Sequence, residues 1–297
     1  MQKLVECVPN FSEGKDKEKI NKIFEAAKSV KGAKVFELEW DESHNRSLFT
    51  IVGAPVDVFN SVYEAIKVAT EVIDMESHTG EHPRIGATDV VPFIPVSGVS
   101  MEECVELANK LGKKVGEELK IPVYLYEAAA TKPERENLAD VRRGQYEELK
   151  EEIKTNKEKA PDFGPNEFHP TAGAAVIGAR KFLVAYNVNL DTPDVEVAKR
   201  IALKIREKGG GLPGVKALGF KVDGKAQVSM NLVDFEKTNF DEAFREIEEE
   251  AKNEGVEIES SEIYGMLPLS ALVRAVKTTF KEKTFTKDQI LETRIFE

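Results

Sequence analysis

Residues 77–89, Ser-His-Thr-Gly-Glu-His-Pro-Arg-Ile-Gly-Ala-Thr-Asp, hold the densest group of side chains that could carry out chemistry. Half of the four histidines of the chain lie here, together with an arginine and two carboxylates. His78 and His82 are four residues apart, which on a helix would place both on one face as metal ligands. Gly80 and Pro83 disfavour a helix, because glycine weakens it and proline biases the preceding residue toward an extended conformation. We therefore predict a loop that precedes a strand, a common location for catalytic residues.

His82 is the strongest candidate for a general acid or base. An imidazole has an unperturbed pKa near neutrality, so it can accept and donate a proton at cellular pH. Arg84 carries a guanidinium that is suited to bidentate binding of a carboxylate. The alternatives are structural, since His82 could be a hydrogen-bonded loop histidine and Arg84 could form a salt bridge with Glu81 or Asp89.

A second polar group lies between two predicted strands, in residues 41–46. A plain turn would not need His44 and Arg46, so this loop is a candidate part of the site. Asn45 and Arg46 lie at the entrance of a strand, and turn formation is the alternative explanation for them. Glu39 and Asp41 could orient a histidine or receive a proton, although most acidic side chains are simply solvated at the surface.

Residues 161–173 form a third candidate segment, Pro-Asp-Phe-Gly-Pro-Asn-Glu-Phe-His-Pro-Thr-Ala-Gly. An irregular segment of this length in a compact protein is usually functional or disordered, and its aromatic residues argue against disorder. Gly164 and Gly173 would let the backbone approach a ligand closely. Phe163 and Phe168 could stack on a flat ring, or they could anchor the loop to the core.

Composition limits the classes of function. The chain has 297 residues, is 41% hydrophobic and 32% charged, and carries a net charge of −11. These values indicate a globular protein and disfavour nucleic acid or an anionic membrane as the main partner. We find no signal-peptide pattern at the start and no apolar run that could cross a bilayer. Cys7 and Cys104 are far apart in apolar contexts, which predicts core thiols in a reducing cytoplasm.

The order of predicted elements indicates an α/β protein, an α+β sandwich of two subdomains. Each subdomain follows the split βαβ order of ferredoxin-like folds, with a mixed sheet, helices on its outer face and a ligand cleft between the subdomains. We place the boundary near Arg180, giving subdomains 1–180 and 181–297. The polar residues 131–160 are predicted to run over the surface. The predicted strands are 4–8, 33–40, 47–52, 89–96, 121–126, 182–190, 215–222, 226–233 and 256–264, and predicted helices start at Asp16, Asp57, Ser100, Thr192, Asn239 and Ser270.

Several long motifs, spread over nearly the full chain, resemble the glutamate formiminotransferase family. This activity is also the transferase part of the bifunctional formiminotransferase-cyclodeaminases. No cyclodeaminase domain follows, so we expect a stand-alone transferase. The motifs are Leu-Val-Glu-Cys-Val-Pro-Asn-Phe-Ser-Glu-Gly at 4–14, Asn-Arg at 45–46, His-Thr-Gly-Glu-His-Pro-Arg-Ile-Gly-Ala at 78–87, Pro-Val-Tyr-Leu-Tyr at 122–126, Ala-Pro-Asp-Phe-Gly-Pro at 160–165, Gly-Ala-Arg-Lys-Phe-Leu at 178–183 and Gln-Val-Ser-Met-Asn-Leu-Val-Asp-Phe at 227–235.

The resemblance implies transfer of a formimino group from N-formimino-glutamate to N5 of tetrahydrofolate, in histidine degradation and one-carbon metabolism. The histidine of the family's Gly-Glu-His-Pro-Arg motif, its catalytic acid/base, corresponds to His82. Arg46 and Arg84 are the candidates for holding the glutamate carboxylates. The other residues expected around the substrate are Asn10, Glu39, Asn45 and Asp89.

The resemblance also locates the folate-binding loop and predicts the partners. Tetrahydrofolate is expected as a co-substrate, with no metal, in a cytoplasmic homodimer that binds neither nucleic acid nor membranes. The folate loop departs from the family pattern at His169 and at Thr171-Ala172. The residues expected to bind folate are Gly164, Pro165, Asn166, Glu167, Phe168, His169, Pro170, Thr171, Ala172 and Gly173.

Three other functions remain open from the sequence. The same histidine and loop could serve N-formyl transfer to or from glutamate, or conversion of 5-formyl-tetrahydrofolate, because one heteroatom distinguishes the donors. A folate-binding protein without catalysis is the second possibility. The third is a metal hydrolase that uses His44, His78, His82 and Asp89.

Overall fold

A computed structural model describes residues 2–296 of the chain. These residues divide after Arg180 into two compact units, called here the first and second units. Each unit has its own hydrophobic core. None of the helices in the described part of the chain combines the length and apolar character that a bilayer crossing requires.

The first unit contains a seven-stranded mixed sheet. Capping residues fix the starts of two of its helices. Asp16 accepts hydrogen bonds from the first turn of helix Lys17–Lys28, and Ser100 and Glu103 form a capping box on helix Met101–Glu118. Its elements are β1 Leu4–Cys7, β2 Asn10–Phe11, α1 Lys17–Lys28, β3 Ala33–Asp41, β4 Arg46–Gly53, α2 Pro55–Val72, β5 Thr88–Ser97, α3 Met101–Glu118, β6 Val123–Glu127, α4 Leu138–Val141, α5 Gln145–Thr155 and β7 Ala175–Ala179.

The sheet of the first unit begins as the predicted βαββαβ arrangement. β1 and β2 both lie between β4 and β5 and pair antiparallel with both, as one interrupted strand. β3 pairs with β4 on the outer side. β7 then extends the sheet parallel to β5, and β6 pairs parallel with β7. The split order predicted for this part is confirmed, and two parallel strands enlarge it.

The second unit is a four-stranded antiparallel sheet in the order β11-β8-β10-β9. This is the strand order of a ferredoxin-like fold, as predicted. Asp223 and Gly224 form the tight turn between β9 and β10, which confirms the hairpin. The elements are β8 Val184–Leu190, α6 Val195–Ile205, β9 Val215–Val222, β10 Lys225–Leu232, α7 Phe240–Glu254, β11 Ile258–Tyr264, α8 Leu269–Thr279 and α9 Leu291–Phe296.

Residues 131–160 are not a simple surface excursion, and that prediction was wrong. Helix α5 buries Tyr146, Leu149 and Ile153 in the core of the first unit. Their spacing of three and four residues gives one apolar stripe on an otherwise charged helix, which is enough to dock it. The many charged residues of the segment obscured this apolar pattern in the sequence.

Some boundaries also differ from the predictions. Helix α2 begins at Pro55 rather than Asp57, because proline fits the first helical turn. Helix α6 begins at Val195, where Asp194 rather than Thr192 caps the first turn. Strand β7 was missed, since its small residues gave little strand signal. Cys7 and Cys104 are buried free thiols, as predicted.

Candidate active site

Residues 73–87 connect α2 to β5 without a helix or a regular strand, so the loop prediction for His78 and His82 is confirmed. This segment, called here the histidine loop, lies against the turn between β3 and β4. The amide of Glu81 donates to the carbonyl of Ser43 at 3.3 Å. Gly80 is required at the contact, because a Cβ there would lie 2.8 Å from the Cβ of Asn45.

His82 contacts Arg46, the first residue of β4. The Nη1 atom of Arg46 lies 3.1 Å from Nε2 of His82. A guanidinium stays protonated and can only donate, so Nε2 of His82 accepts and its ring proton resides on Nδ1. Burial, together with the charges of Arg46 and Arg142, lowers the pKa of His82 to about 3. His82 is therefore neutral in this state.

Arg84 is buried, with 6% of its surface exposed, and its N–H groups donate within the protein. The Nε–H donates to Nδ1 of His78 at 3.2 Å. Nη1 and Nη2 donate to the two carboxylate oxygens of Glu147 at 3.0 and 2.7 Å. Additional bonds reach Gln145 and the carbonyl of His78. The ion pair considered from sequence exists, but with Glu147 instead of Glu81 or Asp89.

Asp89, near the start of β5, is 1% exposed, and both of its carboxylate oxygens accept hydrogen bonds from protein groups. One carboxylate oxygen accepts from the amide of Ile85 at 3.0 Å, and the other accepts from Arg142. The Nε atom of Arg142 is buried with no hydrogen-bond partner among the described residues. Sequence reasoning missed Arg142 and Glu147, since nothing local in residues 131–160 indicates partners more than 50 positions away.

The other predicted substrate residues lie in the turn before Arg46 and on the neighbouring strands β2 and β3. Asn45 is 8% exposed, and its side chain accepts from Gly14 N at 2.9 Å and donates to the Thr79 carbonyl at 2.8 Å. Its φ of +49° is tolerated because Asn adopts the left-handed region more readily than most residues. Glu39 is half-buried on β3, where burial raises its pKa and the charge of Arg46 opposes that rise. Asn10 donates from Nδ2 to the carbonyl of Val8 at 3.2 Å.

The segment predicted to bind folate meets the histidine loop through two glycines. Gly86 and Gly173 form an antiparallel bridge. The amide of Ala87 donates to Ala172 at 2.8 Å, and the amide of Ala174 donates to Ile85 at 3.0 Å. A Cβ on Gly86 would penetrate the Ala174 carbonyl, so only glycine allows this approach. The two sequence segments singled out above are thus joined in space.

The aromatic residues of this segment act as anchors. Phe168 is 8% exposed, and its ring packs on Tyr146 of α5 with a centroid distance of 5.4 Å. Phe163 packs on Gly112 of α3. His169 accepts from the amide of Ala172 at Nδ1, 3.1 Å away, and burial lowers its pKa. The exposed residues of the segment are Gly164, Asn166, Glu167 and Pro170.

His44 is the remaining histidine near the site. Its ring lies 6.5 Å from that of His82, and its Nδ1 lies 3.0 Å from the carboxylate of Asp41. Within residues 2–296, no three histidine, cysteine or acidic side chains come together in a group that could hold a metal ion. His82 instead contacts a cation through Nε2.

Comparison with known proteins identifies the family. Residues 4–180 match the model of the formiminotransferase domain, N-terminal subdomain, and residues 185–295 match that of the formiminotransferase domain. The chain is 48% identical to a glutamate formimidoyltransferase of Thermoplasma acidophilum, covering 98% of this chain and 97% of that protein. It is 44% identical to a glutamate formimidoyltransferase of Streptococcus pyogenes serotype M1, covering 99% of both. A formimidoyltransferase-cyclodeaminase of Mus musculus is 45% identical, with 97% of this chain matching 55% of that protein.

Proposed function

Because this chain belongs to the formiminotransferase family, we propose that it transfers the formimino group of N-formimino-L-glutamate to N5 of tetrahydrofolate and releases glutamate. Likeness over the full length of two relatives named glutamate formimidoyltransferase supports this activity. The observation that carries the proposal is the contact between Arg46 and Nε2 of His82, because it sets a neutral imidazole beside a cation suited to a carboxylate.

The chemistry requires a group that moves protons between two nitrogens. N5 of tetrahydrofolate attacks the formimino carbon and forms a tetrahedral carbon that bears three nitrogens. The bond to the glutamate nitrogen breaks when that nitrogen gains a proton, and N5 loses its own proton. His82 would accept the proton from N5 and deliver it to the glutamate nitrogen, so no net proton is consumed. Binding both substrates side by side would supply much of the remaining acceleration.

The low pKa of His82 makes it a weak base until the substrate binds. A substrate carboxylate would attract the guanidinium of Arg46 away from Nε2, and its negative charge would offset the nearby cations. Both changes would raise the pKa of His82 toward the range useful for proton transfer. We therefore assign binding of the substrate carboxylate to Arg46 and transfer of the proton to His82. The half-buried Glu39 lies close enough to Arg46 to affect this balance.

We propose that tetrahydrofolate lies along residues 164–173. This segment is joined to the histidine loop at Gly86 and Gly173, which supports a ligand that spans both. Its Phe168 ring is buried, so we assign folate contacts to the exposed Asn166, Glu167 and Pro170 and to the glycine backbone. Formation of a homodimer and a cytoplasmic location stay predictions, and light scattering of the purified protein tests the dimer.

The activity is tested by mixing the protein with N-formimino-glutamate and tetrahydrofolate, acidifying, and measuring the absorbance of the methenyl-folate formed. We expect a signal that requires all three components. His82→Ala should retain the fold and tetrahydrofolate binding but lose activity by roughly 10²- to 10⁴-fold. Unchanged turnover in this variant would remove His82 from the mechanism. A signal with N-formyl-glutamate in place of N-formimino-glutamate would favour the formyl reaction.

A further inference from the structure

We propose that Glu147, Arg84 and His78 form a positioning relay that holds Arg46 against His82. The relay gives a role to His78, to Arg84 and to α5, the helix that carries Glu147 and that was predicted to lie at the surface. It rests on the proposed function, because it places Arg46, the proposed ligand of the substrate carboxylate, beside His82. None of the three residues is assigned direct contact with the reacting atoms.

The outer end of the relay is the bidentate ion pair between Glu147 and Arg84. The Arg84 side chain is 8% exposed, whereas that of Glu147 is 66% exposed. Glu147 therefore holds a buried guanidinium from the solvent side, with two N–H···O bonds that fix its plane. This pair lowers the pKa of Glu147, so the carboxylate stays charged. The plane and the position of the Arg84 guanidinium are therefore both fixed.

His78 is the middle member, and its hydrogen bonds define its tautomer. Nδ1 accepts from the Nε–H of Arg84 at 3.2 Å, so the ring proton must reside on Nε2. That Nε2–H donates to the backbone carbonyl of Asn45 at 3.1 Å. His78 therefore transmits the orientation of Arg84 to the turn that precedes β4. Its two ring nitrogens are both used, which is consistent with a structural role rather than a catalytic one.

The last step of the relay passes through the backbone. Asn45 has a left-handed φ of +49°, and it is held by Gly14, by Thr79 and by His78 at once. The next residue, Arg46, donates to Nε2 of His82. Because Asn45 and Arg46 are adjacent, a rotation of the turn would move the guanidinium away from His82. The relay thus leads from α5 to the imidazole through contacts of 2.7 to 3.2 Å.

Direct binding of a substrate carboxylate by Arg84 is the competing role. A guanidinium has five N–H groups, and Nε, Nη1 and Nη2 of Arg84 all donate to protein acceptors. A substrate would have to displace Glu147 first. The two roles differ in kinetics. Loss of the relay would displace Arg46 and lower kcat/KM for N-formimino-glutamate, whereas Glu147→Gln would free an Arg84 that binds the carboxylate directly and would lower that KM.

The test compares four variants of the full chain in the formimino-transfer assay. We expect kcat/KM for N-formimino-glutamate to fall about 100-fold in His78→Ala and about tenfold in Glu147→Gln, with KM for tetrahydrofolate unchanged, since small misplacements can cost about 10²-fold. His78→Gln should recover about tenfold over His78→Ala, because an amide can both accept from Arg84 and donate to Asn45. Glu151→Gln, an exposed glutamate one turn further along α5, is the matched control and should behave as wild type.

A second readout does not depend on activity. With only four histidines, 15N NMR should resolve each ring, and the Nε2 signal of His82 should report the bond from Arg46. Glu147→Gln should alter this signal, and Glu151→Gln should not. Unchanged kcat/KM for N-formimino-glutamate in His78→Ala and Glu147→Gln, or a lowered KM for this substrate in Glu147→Gln, would overturn the relay. A wild-type protein without transferase activity would refute the proposed function, while the NMR comparison would still decide the relay.

Discussion

The histidine loop and residues 164–173 lie side by side, but different forces hold them. The histidine loop is fixed by charged and polar side chains, above all the pair of Arg84 with Glu147. Residues 164–173 are fixed by the close approach of Gly86 and Gly173 and by the buried ring of Phe168. Hydrogen bonds fix angles, as the transfer of a proton requires, whereas backbone approach and packing shape a surface for a larger ligand.

The contact between the two regions should be the most sensitive point for stability. We expect Gly86→Ala to destabilise the protein by about 3 kcal/mol or more, because the new Cβ would meet the carbonyls of Ala172 and Ala174. Urea unfolding would measure the change. Gly210→Ala is the control, since its φ is +86° but nothing lies within 4 Å of a Cβ there, and a cost of about 1 kcal/mol is expected. Equal effects of the two substitutions would show that the glycine contact is not tight.

Packing of Phe168 should contribute less than the glycine contact. We expect Phe168→Leu to cost about 1–2 kcal/mol, because it leaves a gap beside Tyr146 and removes an aromatic pair. Thermal unfolding gives the change, which should not depend on salt concentration. Phe280→Leu, at a position 74% exposed, is the control and should change stability by less than about 0.5 kcal/mol. A strong salt dependence of the stability loss in the Phe168 variant would contradict the claim that packing, rather than charge, holds residues 164–173.

The stability of the protein should depend on pH through His82 in the histidine loop. The pKa of His82 is about 3 in the folded protein, below its usual value of 6.5, so between these values the unfolded chain binds the additional proton. Stability should therefore fall as the pH decreases from 6.5 toward 3. His82→Asn removes this group, so its stability should decline less steeply over the same range, as followed by circular dichroism. An identical decline in both proteins would contradict the low pKa.

Local signals in the sequence predicted much of the fold. The capping box at Ser100 and the Asp223-Gly224 hairpin depend on neighbours in the chain, and both are present. Gly80 and Pro83 likewise predicted the loop conformation around His82. Strand β7 was missed because Ala175–Ala179 contains small residues whose strand conformation depends on its parallel neighbours β5 and β6.

The candidate site was predictable in its segments but not in its pairings. The choice of His82, Arg46 and Arg84 as candidates followed from side-chain chemistry and from motif resemblance. Their partners did not, since Arg84 pairs with Glu147, 63 positions away, and Asp89 pairs with Arg142, 53 positions away. Such pairs arise from tertiary packing of α4 and α5, and a single sequence has no local feature that encodes them.

The most direct test is an NMR titration of His82 in the presence and absence of N-formimino-glutamate, without tetrahydrofolate. The free protein should show a neutral His82 with its proton on Nδ1 and a pKa far below 6.5. Binding of the anionic substrate should raise that pKa by more than about one unit, as Arg46 moves to the carboxylate. A pKa near 6.5 in the free protein, or no change on binding, would contradict the proposal that substrate binding turns His82 into the acid/base of formimino transfer.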